Sequence, residues 1–232
     1  MTDHPRKVRS FVRRPGRITT GQRRALEALL PRWGIPFADE RIELDETFGR
    51  AAPRVLDIGF GDGEALLTAA ARHPGIDYLG IEVHEPGVGH LLALIERSAL
   101  GNIRLVVGDA VEVIERMLPD RSVDAVNLFF PDPWPKKRHH KRRIVKPDFV
   151  GEVARILKPA GLFHIATDWA NYAEQIAATL ASSTSFIAQG PDSLPEQPLA
   201  FRAPTKFERR GRRLGHEVVD LCYRRPAAEP SR

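Results

Sequence analysis

The chain has 232 residues, of which 42% are hydrophobic and 28% are charged, an ordinary globular composition. This length fits one domain with an N-terminal extension and leaves little room for two compact domains. The net charge of +5 favours an acidic partner, and nucleic acid is the first candidate for a basic protein whose charge is clustered. A single cysteine, Cys222, excludes an internal disulfide and fits a reducing compartment.

The sequence contains no run of about 18 apolar residues, and its first residues lack the apolar core of a signal peptide. We therefore expect a cytoplasmic protein with no membrane association. Residues 1–24 carry eight Lys/Arg and one acid, Asp3, which predicts a basic arm that is flexible when free. The pattern predicts three parts: a basic arm with a lead-in helix near 21–30 (1–50), a folded domain (51–225) and a disordered tail (226–232).

From residue 54 onward, short apolar runs alternate with segments of helical periodicity. The runs RVLDIGF, DYLGIEV, IRLVVGD, VDAVNLFF and LFHIATD predict strands, and the segments between them predict helices. This alternation is typical of an α/β, Rossmann-like fold, with a mostly parallel sheet and helices on both faces. Residues 190–204 contain four prolines and predict a long surface connection, after which HEVVDLCYRR predicts a last strand.

The first predicted strand runs into an acidic glycine loop, DIGFGDGE at 57–64. Glycines such as Gly59 let the backbone turn sharply and approach a ligand, but Glu64 stands where a dinucleotide fingerprint has its third glycine. The loop acids disfavour a pyrophosphate and favour a cationic cofactor without phosphate, such as S-adenosylmethionine. Taken alone, the glycine spacing is also typical of a tight strand-to-helix turn.

Acidic residues also end the second and third predicted strands. Glu82, 19 residues after Gly63, has the position of a carboxylate that accepts from ribose hydroxyls, and Asp109 can accept from an adenine amino group. Either acid by itself is equally typical of a helix N-cap. Acids at three strand ends on one sheet edge predict the cofactor site of a class I methyltransferase.

The fourth predicted strand leads through PDPW into a basic block, KKRHHKRR at 136–143. Prolines on both sides stiffen the backbone around Asp132, which predicts that its carboxylate projects into the site; a turn-forming aspartate is the alternative. Lysines and arginines that meet phosphates add affinity without sequence preference, so the block predicts a grip on a nucleic-acid backbone. The adjacent histidines among six cations do not indicate a metal site, and none is expected.

Seven segments together resemble the bacterial tRNA (guanine-N7-)-methyltransferases. They cover most of the chain in order, and PDPW with the basic run and TKFE is the most specific part; the segments are RSFVRRPGRIT, DIGFGDGEAL, LGIEVHEPGVG, GDAVEV, LFFPDPWPKKRHHKRR, ATDWANYAE and TKFERRGRRLGH. The resemblance implies a class I fold with a seven-stranded sheet, so that 51–225 would be the methyltransferase domain. The implied activity is methyl transfer from S-adenosylmethionine to N7 of a guanine in the tRNA variable loop.

The resemblance also implies roles for individual residues. Asp132 is implied as the catalytic residue, and the implied cofactor set is Asp57, Gly59, Glu82, Asp109 and Asp132. The implied substrate contacts are Lys136, Asp168, Thr205, Lys206, Phe207 and Glu208. Family members commonly have Glu where this chain has Asp57, and the shorter side chain changes the reach of that contact. No obligatory protein partner is implied, and either a monomer or a homodimer is compatible.

Three other functions are compatible with parts of the sequence. A methyltransferase acting on ribosomal RNA or on a different tRNA base would need the same basic surface. An RNA-binding protein without catalysis would not need the intact set of Gly59, Gly61, Glu82 and Asp109. A nicotinamide oxidoreductase is disfavoured because the third glycine of its fingerprint is absent.

Overall fold

The computed structural model describes residues 17–190, 198–213, 215 and 217–227. The rest of the predicted basic arm and the last five residues of the predicted tail lie outside the described residues. The helices are α1 (Thr20–Trp33), α2 (Leu44–Phe48), α3 (Glu64–Arg72), α4 (Glu85–Ser98), α5 (Ala110–Met117), α6 (Pro147–Ile156), α7 (Ala170–Ala181) and α8 (Lys206–Arg213). The strands are β1 (Arg54–Ile58), β2 (Asp77–Glu82), β3 (Ile103–Val107), β4 (Val123–Phe129), β5 (Leu157–Thr167), β6 (Ile187–Ala188) and β7 (Val219–Arg224).

These strands form a seven-stranded sheet in the order β3-β2-β1-β4-β5-β7-β6. Strands β1 to β5 are parallel, and β7 runs antiparallel between β5 and β6. The mostly parallel sheet predicted from the sequence is confirmed. Because strand order reverses beside β1, the carboxyl ends of β1 and β4 flank the crevice where ligands bind in such sheets.

Apolar side chains fill both faces of the sheet. Helices α5, α6 and α7 cover one face with residues such as Met117, Phe149 and Tyr172. Helices α1, α3 and α4 cover the other face with residues such as Trp33 and Leu91. Every residue of β1 and β2 is buried, as expected for strands covered on both faces.

The predicted lead-in helix is α1, and it packs closely against α4. A Cβ added to Gly89 would lie 2.6 Å from the backbone oxygen of Gln22, so glycine is needed for the two helices to approach. Thr19 caps α1 through a capping box with Gln22. The start of α1 is thereby fixed beside the start of α4, at the carboxyl edge of the sheet.

The proline-rich connection differs from its prediction as a surface segment. Residues 191–197 lie outside the described residues, but Pro198–Ala200 forms a 3₁₀ helix over β4 and β5. Ala200 and Ala203 are buried, and Phe201 packs against the core. The prediction is therefore wrong for 199–203, because the apolar residues among the prolines cover part of the sheet.

Candidate active site

A cleft of about 1290 Å³ opens at the carboxyl edge of the parallel strands. Four of the residues predicted from the sequence line it, namely Gly59, Glu82, Asp132 and Lys206. Ile18 and Gln22 bring the start of α1 to the same cleft. Three parts of the chain therefore meet at this cleft: the predicted cofactor loop, the PDPW segment and helix α8.

The glycine loop depends on backbone conformations that other residues rarely adopt. Gly59, Gly61 and Gly63 have φ values of +73°, +64° and +78°. A Cβ on Gly87 would lie 2.0 Å from the backbone oxygen of Gly61, so α4 also needs a glycine where the loop crosses it. Around Gly59 no atom lies within 4 Å of an added Cβ, and this open space faces the cleft.

Glu82 ties this loop to the end of β2. One carboxylate oxygen accepts from the Gly61 N–H at 2.9 Å, and the other accepts from the Val83 and His84 N–H groups at 2.7 and 2.9 Å. A carboxylate offers about four lone-pair sites, so the protein itself uses most of this capacity. Glu82 shapes the loop as well as lining the cleft, a double use that the sequence pattern did not reveal.

Asp57 lies in β1, one residue before Ile58, which lines the cleft. Its carboxyl group is buried, and burial together with the nearby Glu82 carboxylate raises the pKa of Asp57 to about 7. A cation bound beside a buried acid with such a raised pKa would favour the ionised form of that acid. The structure places it beneath the glycine loop.

Asp109 follows β3 and caps α5. Its side chain accepts from the Val111 N–H at 3.0 Å, so the N-cap alternative describes its contact in this structure. Phe37 approaches the same strand end, within 3.9 Å of a Cβ built on Gly108, and 42% of its surface is exposed. The loop that carries Phe37 is held by a parallel bridge to β3, in which Ile35 N–H donates to the Leu105 oxygen at 2.7 Å.

Asp132 is exposed in the cleft, within a strained loop. Phe130 and Trp134, two residues to either side, have φ values of +52° and +44°, which non-glycine residues rarely adopt. The Phe130 N–H donates to the Ala166 oxygen at 2.7 Å, which fixes the start of the loop on β5. Such strain is characteristic of functional sites, where surrounding contacts hold the backbone.

The basic block divides into an exposed part and a buried residue. Lys137–Arg142 forms a 3₁₀ helix that the sequence did not predict, and Lys136 before it is exposed. Arg142 lies over the Trp134 ring with its guanidinium 5.2 Å from the ring centroid. Arg143 instead is only 2% exposed. The predicted grip on a nucleic-acid backbone is therefore wrong for Arg143, which points into the protein.

The TKFE segment begins α8, and its side chains point in different directions. Thr205 accepts from the Glu208 N–H at 3.1 Å and caps the helix. Lys206 reaches the glycine loop, where its ammonium lies 2.9 Å from an Asp62 carboxylate oxygen. Glu208 is 1% exposed and forms an ion pair with Arg202. The side chain of Phe207 lies outside the described residues.

Asp168, after β5, lies against α8. A Cβ on Gly211 would meet an Asp168 carboxylate oxygen at 2.8 Å, so glycine allows the helix to approach this acid. Arg202 joins the same region, because it pairs with Asp220 at 2.9 Å and lies 5.8 Å from the centroid of the Phe129 ring. Arg202 belongs to none of the motifs predicted from the sequence.

Within residues 17–190, 198–213, 215 and 217–227, no three His, Cys, Asp or Glu side chains are grouped to hold a metal ion. In the same part of the chain, no helix is both long and apolar enough to cross a membrane.

Comparison of the structure with solved structures identifies its fold. A 16S rRNA methyltransferase, KamB, superimposes with a TM-score of 0.54 at 16% identity, over 81% of this chain and 95% of that one. TrmN from Thermus thermophilus gives a TM-score of 0.54 at 19% identity, over 78% of this chain and 47% of that one. The chain thus has the Rossmann-like class I methyltransferase fold.

Sequence comparisons are more specific. A family model described as "Putative methyltransferase" matches residues 51–221. A tRNA (guanine-N(7)-)-methyltransferase of Alkalilimnicola ehrlichii is 55% identical, over 95% of this chain and 93% of its own length. One from Halorhodospira halophila is also 55% identical, over 95% of this chain and 96% of its own length. This chain therefore belongs to the tRNA (guanine-N(7)-)-methyltransferase family.

Proposed function

We propose that this protein transfers a methyl group from S-adenosylmethionine to N7 of a guanine in the variable loop of tRNA. The observation that carries the proposal is the single cleft lined by Gly59, Glu82, Asp132 and Lys206 in a chain of this family. Residues 51–225 would form the methyltransferase domain. The enzyme would act on tRNA in the cytoplasm without a helper subunit, as a monomer or a homodimer.

The acidic side of the cleft fits S-adenosylmethionine, which supplies an electrophilic methyl group on a sulfonium. The open space over Gly59 allows a ligand to approach the backbone, and Asp57 beneath it has a carboxyl group that a cation would ionise. Glu82 keeps capacity for a ribose hydroxyl beside its three backbone contacts. We assign Asp109, at the end of β3, to the adenine amino group.

The chemistry at N7 requires alignment more than a strong base. Guanine N7 is an acceptor with a free lone pair, so no proton has to leave before it attacks. Holding N7 in line with the methyl group, at about 3–3.5 Å, can supply roughly 7–11 kcal/mol of the barrier. A stiff loop such as PDPW, fixed at Phe130 by its bond to Ala166, suits this task.

Methyl transfer leaves positive charge on the guanine ring. A carboxylate close to the ring would stabilise that charge as it develops, and Asp132 is the proposed catalytic residue because it is exposed in the cleft. Asp168 follows β5 at the same sheet edge and is the second candidate. Either carboxylate could instead accept from guanine N1–H and the exocyclic amine, which would select guanine over adenine.

The basic side of the cleft suits the RNA. Lys136 is exposed at the start of the basic 3₁₀ helix, where a phosphate contact would add affinity and release counterions. Lys206 lines the cleft, which supports its assignment as the TKFE residue in direct contact with the RNA. We assign supporting roles within the same binding surface to Thr205 and Glu208, which cap and anchor α8; Phe207 stays a predicted contact.

The test uses purified protein, S-adenosylmethionine with a labelled methyl group, and an unmodified tRNA transcript. A second transcript has adenine in place of the variable-loop guanine. We expect label on the first transcript alone, located at N7 by digestion and chromatography. Label on both transcripts would refute the assigned base. If neither transcript is labelled although the cofactor binds, the proposal that the protein alone methylates this tRNA is refuted.

A further inference from the structure

The PDPW loop, residues 131–134, needs an external support. Its flanking residue Phe130 and its last residue Trp134 both have positive φ values, and neither is a glycine. Backbone in this region is strained for residues other than glycine and persists only when its surroundings hold it. The N-terminal end of the loop is held on β5 by the Phe130 N–H, and the C-terminal end needs an equivalent.

Arg143 supplies that second support. Its Nε donates to the Pro133 oxygen at 2.9 Å, and its two terminal nitrogens donate to the side-chain oxygens of Gln175 and Asn171, each at 3.0 Å. The guanidinium also lies 4.7 Å from the centroid of the Tyr172 ring. One buried side chain thus joins the residue after Asp132 to three residues of α7.

Helix α7 begins directly after the other candidate carboxylate. Asp168 precedes Trp169, the N-cap of α7, and Asn171 lies three positions after Asp168. The Arg143 contacts therefore link the loop that carries Asp132 to the helix that follows Asp168. Asp132 and Asp168, which would flank the same guanine, are thus carried by segments that Arg143 connects.

We propose that Arg143 is a positioning residue that sets the Asp132 carboxylate for methyl transfer; this rests on the proposed function. Only a planar guanidinium reaches the three oxygens at once, because its N–H groups diverge in a rigid fork. Lysine keeps the charge but offers one compact ammonium in place of the fork. The arginine adds nothing to RNA binding, since it is buried beneath the exposed part of the basic block.

The first experiment compares Arg143→Lys with Arg155→Lys. Arg155 lies on α6, outside the cleft, and is a matched control because its guanidinium also joins several elements: it donates to Ile114, Leu118, Asp120 and Glu152. We expect Arg143→Lys to lower kcat about 10- to 100-fold, since small misplacements near the reacting atoms have effects of this size. Its KM for tRNA should stay within about twofold. Arg155→Lys should lower the melting temperature with kcat unchanged.

A double-mutant cycle tests whether Arg143 acts through Asp132. In an Asp132→Asn background, adding Arg143→Lys should lower kcat no further, because the group that it positions is already absent. Equal losses with and without Asp132 would overturn the proposal. In Arg143→Gln, an unchanged salt dependence of tRNA binding is expected, and a weaker dependence would show a phosphate contact instead.

Hydrogen exchange gives a readout that needs no activity. The peptide spanning residues 128–136 should exchange faster in Arg143→Lys, and it should exchange as in the unaltered protein in Arg155→Lys. Unchanged exchange in Arg143→Lys would overturn the proposal. If the unaltered protein does not methylate N7, the proposed function fails; if it does and Arg143→Lys retains full kcat, only the positioning role fails.

Discussion

Single carboxylates at this site differ in what surrounds them, and this difference sets their chemistry. Asp57 is buried with a pKa raised to about 7, because burial and Glu82 both disfavour its charge. Asp132 is exposed on the cleft side of a strained loop. The sequence shows the same residue type at both positions, and only their burial separates the acid with the raised pKa from the solvent-accessible one.

The first prediction concerns Asp132. Asp132→Ala should lower kcat by roughly 10²- to 10³-fold, the usual cost of removing a group that stabilises transition-state charge. The melting temperature should not change, because the side chain is exposed. Steady-state kinetics with the tRNA transcript and a thermal melt measure both quantities. Asp148→Ala, an exposed aspartate in the first turn of α6, is the control, and near-normal turnover of Asp132→Ala would end the catalytic assignment.

The second prediction concerns the pH dependence of stability at Asp57. The folded pKa of about 7 lies above the unfolded value of about 3.9, so the folded protein binds more protons between these values. The stabilisation is present in full below about pH 4 and is lost as pH rises to about 7. Asp57→Asn should remove this decline, which amounts to a few kcal/mol at about 1.4 kcal/mol per pKa unit.

Denaturant unfolding from pH 4.5 to 8 measures the Asp57 effect. Asp39→Asn is the control, because Asp39 is 79% exposed and should leave the pH dependence unaltered. Parallel stability curves for the unaltered protein and Asp57→Asn would show that burial does not raise this pKa.

At the scale of elements, α8 is joined both to the glycine loop and to the core. Lys206 pairs with Asp62 at 2.9 Å and Arg209 pairs with Glu64 at 3.3 Å, so two exposed ion pairs hold α8 to the glycine loop. The buried Glu208 anchors the inner face of the helix through an ion pair with the partly buried Arg202. Helix α8 thus has a solvent-exposed contact with the glycine loop and a largely buried contact with the core.

The third prediction separates these two contacts. Glu208→Gln should destabilise the protein by about 3 kcal/mol, the lower end for breaking a buried pair, because Asp220 still compensates Arg202. Lys206→Ala should cost under about 1 kcal/mol, since its pair is exposed, yet it should weaken tRNA binding. Thermal denaturation and tRNA titration measure both variants. Equal destabilisation by the two changes would contradict this division.

At the scale of the whole molecule, acids and exposed cations lie on different elements. Acids lie around the glycine loop and the strand ends, whereas Lys137, Arg138 and Lys141 are exposed on the 3₁₀ helix that follows PDPW; the α8 cations Lys206 and Arg209 instead pair with acids of the glycine loop. Under the proposed function, the acids would favour a sulfonium cofactor and the exposed cations of the 3₁₀ helix would favour an RNA polyanion. The net charge of +5 gives no indication of this distribution.

The fourth prediction is the salt dependence of tRNA binding. Lys136→Ala should weaken binding and reduce the slope of log affinity against log salt by about 1, because one phosphate contact is lost. Filter binding or fluorescence titration between 50 and 200 mM salt measures it. Arg97→Ala, an exposed cation near the end of α4, serves as the control. A slope identical to that of the unaltered protein would mean that Lys136 does not touch phosphate.

The sequence by itself determined the order of the elements, the parallel sheet and the edge at which the acids meet. Apolar periodicity and acidic strand ends are local signals, and parallel strands bring their carboxyl ends to one edge whatever packs around them. This is why Gly59, Glu82 and Asp132 were predicted together and line one cleft. The residue motifs were sufficient to indicate the family.

Only the tertiary structure decided which way individual side chains face. Arg143 is the last residue of a block that also contains five other lysines or arginines and two histidines. It turns inward because α7, from a distant part of the chain, offers it three partners. Glu208 turns inward toward Arg202, which is near in sequence but is itself bound by Asp220 of β7. The direction of a charged side chain depends on the partners that compensate its burial, and packing between separate elements brings these partners together.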